Sequence, residues 1–257
     1  MFYIKDRNEL DRMLLGGHFG EFRFEIQKRF WAITLVLDDT EIILKERKDD
    51  LENRYKEELS QVDFTQYEYP SDYASLIMEE EGEVRYVMVY YALYNSTFMM
   101  AQSLFEAGLR LLFTHLQDAK GIKEKVKPKW RLKSVIADFK SVLGLDLQAL
   151  PEWKTIEAYI DIRNAIAHNN GYIVLEDDEK LEENKTYKSY LHLKQNLVLF
   201  KPEPHFRIGN KEFIHEFVRS IYQFFNEMEE PIKNEIGNYK VEQEKWFKQF
   251  NTLNNQK

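Results

Sequence analysis

From Glu21 to Val62 the chain runs without a Gly or a Pro, and apolar residues recur through its first half at Phe24, Phe30, Ile33, Leu37, Ile42 and Leu44. A stretch of that length with no helix breaker and with helical periodicity folds as one long helix, or as two that part near Asp38-Asp39. Its second half, Lys45 to Glu58, pairs opposite charges three or four residues apart, the pattern of a solvated helix surface. Composition extends the same reading to the whole chain. Only 10 Gly and 6 Pro occur in 257 residues, with 44% hydrophobic and 31% charged side chains. That balance excludes a disordered chain, allows a sizeable core without covalent staples, and favours a mainly α fold over a turn-rich sandwich.

The absence of Cys removes disulfides, thiolate nucleophiles, Cys-ligated zinc and iron–sulfur clusters together, and fits a reducing, cytoplasmic setting. At the N-terminus Asp6 and Glu9 precede any long apolar run, which argues against a signal peptide. The most apolar stretch, Tyr86 to Phe105, is interrupted by Asn95, Ser96, Thr97, Gln102 and Ser103, polar groups that suit a buried helix and burden a membrane span. A net charge of -8 speaks against nucleic-acid binding by the surface as a whole but leaves room for a local basic patch.

Along the chain, the spacing predicts an apolar central helix from about Glu83 to Leu116, a connector from Gly121 to Lys129, and a short helix from Trp130 to Leu143 stopped by Gly144. Pro151 suits the first turn of a further helix that runs to His168 and ends at Asn169-Asn170-Gly171, a left-handed cap sequence. Tyr172 to Glu176, Tyr190 to Leu193 and Leu197 to Phe200 have strand-like composition, so a small β-hairpin is expected between helices, near 172–208. A last amphipathic helix starts at Gly209 or Asn210 and turns Phe213, Ile214, Phe217, Ile221, Phe224 and Phe225 inward, with a restart at Pro231. Trp246, Phe247 and Phe250 make the tail amphipathic.

Several chemistries drop out. Gly16, Gly17 and Gly20 lack the Lys-Ser/Thr of a phosphate loop, the six histidines never fall in a His-x-His or His-Glu-x-x-His pattern, and no Gly-x-Ser-x-Gly elbow is present. What remains is Tyr159-Ile-Asp-Ile-Arg163-Asn164-Ala-Ile-Ala-His168-Asn169-Asn170-Gly171. On a helix Asn164 and His168 share a face, and Arg163, about 100° round, has a side chain long enough to reach the same space. His168 also lies at the carbonyl end of that helix, where a cation is favoured. Two readings of these residues stay open: a convergent Arg, Asn and His, or an Arg paired with Asp161 or Glu157 beside a His that caps its own helix.

Arg163 and Asn164, the four residues separating Arg163 from His168, and the closing Asn-Asn-Gly resemble the Arg-x4-6-His signature of the HEPN domains. The central helix Tyr94-Asn-Ser-Thr-Phe-Met-Met-Ala-Gln-Ser-Leu-Phe-Glu106-Ala-Gly-Leu-Arg and Trp153 extend the likeness over Tyr86 to about Met228. The family is all-α, and many members are ribonucleases of bacterial defence, toxin–antitoxin and CRISPR-associated systems. The resemblance implies an antiparallel HEPN-like helical bundle over 83–235; outside the likeness, 1–82 is expected as a helical extension packed on the bundle and 236–257 as an amphipathic tail. It also implies an endoribonuclease that uses Arg163 and His168 without metal or cofactor and leaves 2′,3′-cyclic phosphate and 5′-OH ends, in phage defence or as a toxin. Asn164 would orient the phosphate or the imidazole, and Glu106 would hold Arg163. RNA, a second copy of the chain, and an antitoxin or other defence-system protein are the implied partners, with no membrane. The alternative is a non-catalytic HEPN module that binds RNA or a partner protein; a purely structural helical adaptor is a third.

Upstream of the motif lies a basic patch, Lys120, Lys123, Lys125, Lys127, Lys129, Arg131 and Lys133, with Trp130 embedded and Glu124 its one acid. Clustered cations beside an aromatic ring can track a phosphate backbone and stack a base; equally they can be an ordinary solvated loop.

Overall fold

The computed structural model describes residues 17–63, 86–120, 122, 124–127, 131–200 and 204–236, with only the backbone for 17–24, 119, 233 and 236. It is mainly helical, with one small two-stranded antiparallel sheet. In chain order the elements are α1 (Gly17–Gln61), α2 (Met88–Ala119), α3 (Leu132–Asp138), α4 (Trp153–Asn169), α5 (Lys185–Leu193), β1 (Leu197–Phe200), β2 (His205–Ile208), α6 (Glu212–Glu227) and α7 (Glu229–Ile236). Among the described residues no helix is long and apolar enough to cross a membrane. The tail residues Trp246, Phe247 and Phe250 lie outside the described residues.

α1 is one unbroken helix: Asp38 and Asp39 sit exposed on its outer side and cause no break. Its buried seam is Ile26, Phe30, Ile33, Leu37, Thr40 and Leu44, alternately four and three residues apart. That spacing carries the seam along one face, and it turns Ile42, which the sequence groups with the apolar set, to the other side at 56% exposure. Beyond Leu44 the helix carries exposed pairs such as Arg54 with Asp50 at 3.0 Å, each worth only about 0.3–0.5 kcal/mol.

The described residues form two compact units. The first takes those before Ile33, Ala101–Asp161, and those from Glu216 onward; the second takes Ile33–Met100 and Ile162–His215. In the first, Phe105 of α2 meets Phe224 and Phe225 of α6 at centroid distances of 5.8 and 5.9 Å, and Phe113 meets Phe139 at 5.3 Å. Gly108 permits the approach of α1, because a Cβ there would stand 2.6 Å from Ile26 Cδ1. α3 continues as a π-helical turn, Phe139–Leu143, until Gly144 ends it at φ +77. α4 begins at Trp153, so Pro151 lies just before the helix rather than in its first turn. Pro151 is followed by Glu152, whose N–H donates to the Glu227 carboxylate at 2.8 Å. Pro231 falls in the first turn of α7, where its missing N–H costs no helical bond.

In the second unit Phe98 packs edge-on to Phe213 at 5.1 Å. The hydroxyl of Tyr94 donates to Glu41, whose other oxygen lies 3.7 Å from Lys211 Nζ. Burial first, then the Glu41 carboxylate, pushes the Tyr94 phenol far above the ordinary tyrosine value. The hairpin pairs Leu197 with Ile208, Val198 with Arg207, Leu199 with Phe206 and Phe200 with His205. Leu197, Phe206 and Ile208 are buried, whereas Val198, Phe200, His205 and Arg207 share the opposite face.

Two of the three segments with strand-like composition fold otherwise. Tyr190 to Leu193 is the end of helix α5, because Asn184 caps its start by accepting from Tyr187 N–H at 3.1 Å and because Ser189 and Leu193, four apart, are the buried pair. That is a helical period, and it overrides the aromatic and Leu-rich composition. Of Tyr172 to Glu176, only Tyr172 joins the sheet, by a single bridge to His205. The remaining partner strand is His205–Ile208.

Candidate active site

α4 carries the motif because Ile156, Tyr159, Ile162 and Ala165 recur at every third residue and are buried, which fixes the helix's rotation. Arg163 is partly buried, and Asn164 and His168 are exposed. The guanidinium Nη1 of Arg163 donates to Asn164 Oδ1 at 3.1 Å. Its Nε is buried with no acceptor among the described residues. The ion pair with Asp161 or Glu157 that would make Arg163 purely structural is not present among the described residues.

The helix ends as the sequence predicts, in a left-handed turn with Asn170 at φ 53 and Gly171 at φ 84. The Gly171 N–H donates to Ala165 O at 3.0 Å and the Tyr172 N–H to Asn169 O at 2.9 Å, so backbone donors close the helix end. The imidazole of His168 therefore caps no carbonyl among the described residues and stands in solvent. Gly171 is also required sterically: a Cβ there would lie 2.3 Å from the carbonyl oxygen of Phe206. In return the Phe206 N–H donates to Gly171 O at 3.0 Å and the Ile173 N–H to Pro204 O at 2.9 Å, which join the end of α4 to β2.

The other expected residues fall in the first unit. The Glu106 carboxylate lies 3.7 Å from Arg110 Nη1 and accepts from Gln102 at 3.4 Å, so its described partners are on its own helix. Lys120 donates to Leu143 O at 2.9 Å and faces Glu235, and Lys125 pairs with Asp118. Lys127, Arg131 and Lys133 are exposed, with no acidic partner among the described residues. Lys123, Lys129 and Trp130 lie outside the described residues. Among the described residues no three His, Asp or Glu side chains gather as a metal site.

One cluster escaped the sequence reading. On the outward face of the hairpin the His205 ring stacks on Phe200 at 4.7 Å and 8°, and Tyr172 lies against His205 at 4.8 Å and 33°. The Arg207 guanidinium lies over Tyr91 at 4.6 Å and Phe200 at 5.3 Å. The alternation in His205-Phe-Arg-Ile, two outward and two buried, was the available signal, but four residues are too few to read reliably.

A scan against protein-family models, a search of curated proteins and a search of solved structures each find no match for this chain.

Proposed function

We propose that the chain is a HEPN-like endoribonuclease that works without metal, with Arg163 and His168 at its centre, acting in phage defence or as a toxin. The observation that supports this reading is the state of Arg163: a partly buried guanidinium that engages only a neighbouring amide, keeps an unmet Nε–H donor, and sits five residues before an exposed histidine. Unmet buried donors are rare and costly, about 1–3 kcal/mol, so an arginine in this state is suited to an anionic ligand.

The chemistry follows from the groups. The 2′-oxygen of a ribose bonds to the adjoining phosphorus, the bond from phosphorus to the 5′-oxygen breaks, solvent takes the 2′-hydroxyl proton, and His168 in its cationic form donates one to the leaving oxygen. The products are a 2′,3′-cyclic phosphate and a 5′-OH. Charge gathers on the phosphoryl oxygens in between, where a forked guanidinium from Arg163 stabilises it. Asn164, already bonded to Arg163, sets the direction of that fork. Two copies of the chain with their motifs facing each other would form a composite cleft.

The test is incubation of the purified protein and its His168→Ala variant with total RNA in excess EDTA, followed by analysis of fragment ends. Cleavage by the wild type alone, leaving 2′,3′-cyclic phosphate, is expected. Silence from a folded wild type overturns the nuclease reading in favour of a binding module. In that case RNA affinity should survive His168→Ala and fall when Lys127, Arg131 and Lys133 are neutralised.

A further inference from the structure

We infer that the outward face of the hairpin is a stacking platform for unpaired RNA bases beside the motif, so that the substrate is single-stranded or looped RNA rather than duplex. The inference rests on the ribonuclease reading for its substrate and on an independent set of residues for its geometry.

Tyr172, His205 and Phe200 occupy adjacent sheet positions, and their rings follow one another at 4.8 and 4.7 Å, the spacing of neighbouring strands. Arg207 extends the series across Phe200 to Tyr91. A planar cation and four rings are thus placed on a half-open surface. Tyr172 has His205 on one side of its ring and remains 39% exposed. Exposed apolar side chains continue the surface: Val198, on the same sheet face, at 42%, and Val174, two residues beyond Tyr172, at 59%. Leu197, Phe206 and Ile208 hold the hairpin from its buried side, and cross-strand stacking of Phe200 on His205 holds it from the outer side; neither uses the second face of Tyr172.

The occupant follows from the chemistry. The outer face of Tyr172, at the end of a stacked series that carries an imidazole and a guanidinium, matches a nucleobase joined to phosphate, and aromatic and Arg planes are the common means of holding splayed single-stranded bases. An A-form duplex keeps its bases stacked on one another and offers no face to such a surface. Position agrees as well. Tyr172 follows His168 by four residues, which keeps their Cα atoms within about 14 Å of each other on any path. A base on Tyr172 therefore belongs to the same stretch of strand as the phosphate at Arg163 and His168.

The experiment uses the full chain and two readouts. Binding is measured by fluorescence anisotropy with a labelled 2′-O-methyl strand, which has no free 2′-hydroxyl and is not cut, and with the blunt duplex of the same sequence. Cleavage is measured on the corresponding RNA strand. The wild type should bind the strand more tightly than the duplex. Tyr172→Ala should weaken strand binding by about 5- to 150-fold, the loss expected for one base–aromatic stack, and raise the KM of cleavage by a similar factor. Tyr172→Phe, which keeps the ring, should restore both. Equal binding of strand and duplex overturns the platform, as does wild-type affinity in a folded Tyr172→Ala. If His168-dependent cleavage persists with KM unmoved by Tyr172→Ala, the platform fails and the nuclease stands. If strand binding needs Tyr172 but nothing is cut, the nuclease fails and the platform stands. A wild type that binds neither probe overturns the platform and leaves that face to a protein partner.

Discussion

A carboxylate and a phenol set the sharpest local tests. Tyr94 is 1% exposed and its hydroxyl is held by Glu41. Glu41→Ala leaves that hydroxyl buried without its acceptor and should cost about 1–3 kcal/mol in chemical denaturation. Glu179 titrates in the other direction. Its carboxylate accepts from Asn184 Nδ2 at 3.0 Å and from the Glu176 N–H at 3.1 Å, and these bonds, the Asn184 one first, hold its pKa below the ordinary 4.5. A pKa lower in the folded state means a contribution present above the ordinary value and lost as pH falls through the lowered one. Denaturation midpoints followed into acid should thus fall more steeply for the wild type than for Glu179→Gln. Gly171→Ala should be among the most damaging single changes, by about 3 kcal/mol or more, since it meets both a positive φ and the Phe206 carbonyl. At this scale the motif itself was legible, because its residue types and spacing are local facts; the single Arg163–Asn164 bond was not, since neighbouring side chains have many ways to avoid each other.

Among the elements, the long helices were readable from their period and α3 from the Gly144 that stops it, whereas α5 was not, and the reason is length. α1, α2, α4 and α6 each span enough turns for a 3.6-residue period to outweigh the identity of any one residue. α5 has nine residues, and its Tyr and Leu content suits a strand equally well; only the Asn184 cap decides. Asn184 is 7% exposed, and it accepts from Tyr187 N–H while donating to Val174 O and Glu179. Asn184→Ala should therefore cost more than an ordinary exposed cap, toward the upper end of about 0.5–2 kcal/mol, with loss of helicity confined to Lys185–Leu193 by NMR chemical shifts. β2 went unread for the same reason as α5, since it is four residues long and its pairing with β1 is non-local.

For the molecule as a whole, an acidic chain that handles RNA must do so through local cations. Lys127, Arg131 and Lys133 are the exposed candidates without acidic partners among the described residues, whereas Lys120 and Lys125 are engaged by neighbours. Replacing the three by Gln should weaken RNA binding evenly across sequences and flatten the plot of log affinity against log salt by about 2, because each phosphate of a single strand that a cation neutralises adds about 0.7 to that slope. Affinity with unchanged salt dependence would mean that these cations meet no phosphate. The proposed dimer has its own measurement: light scattering of the eluted protein should give twice the chain mass. Net charge bears on neither proposal, since it averages over the surface on which both depend.

The join at Gly171 has a consequence in time. A helix terminus ordinarily frays, and its last amides exchange with solvent quickly. Here the amides of Gly171, Tyr172, Ile173 and Phe206 are donors in one hydrogen-bonded knot that ties the end of α4 to β2. They should exchange deuterium together and slowly, at a rate set by the opening of the hairpin rather than by local breathing. Under the proposed function, the backbone that bears His168 is then already held in place before any strand arrives.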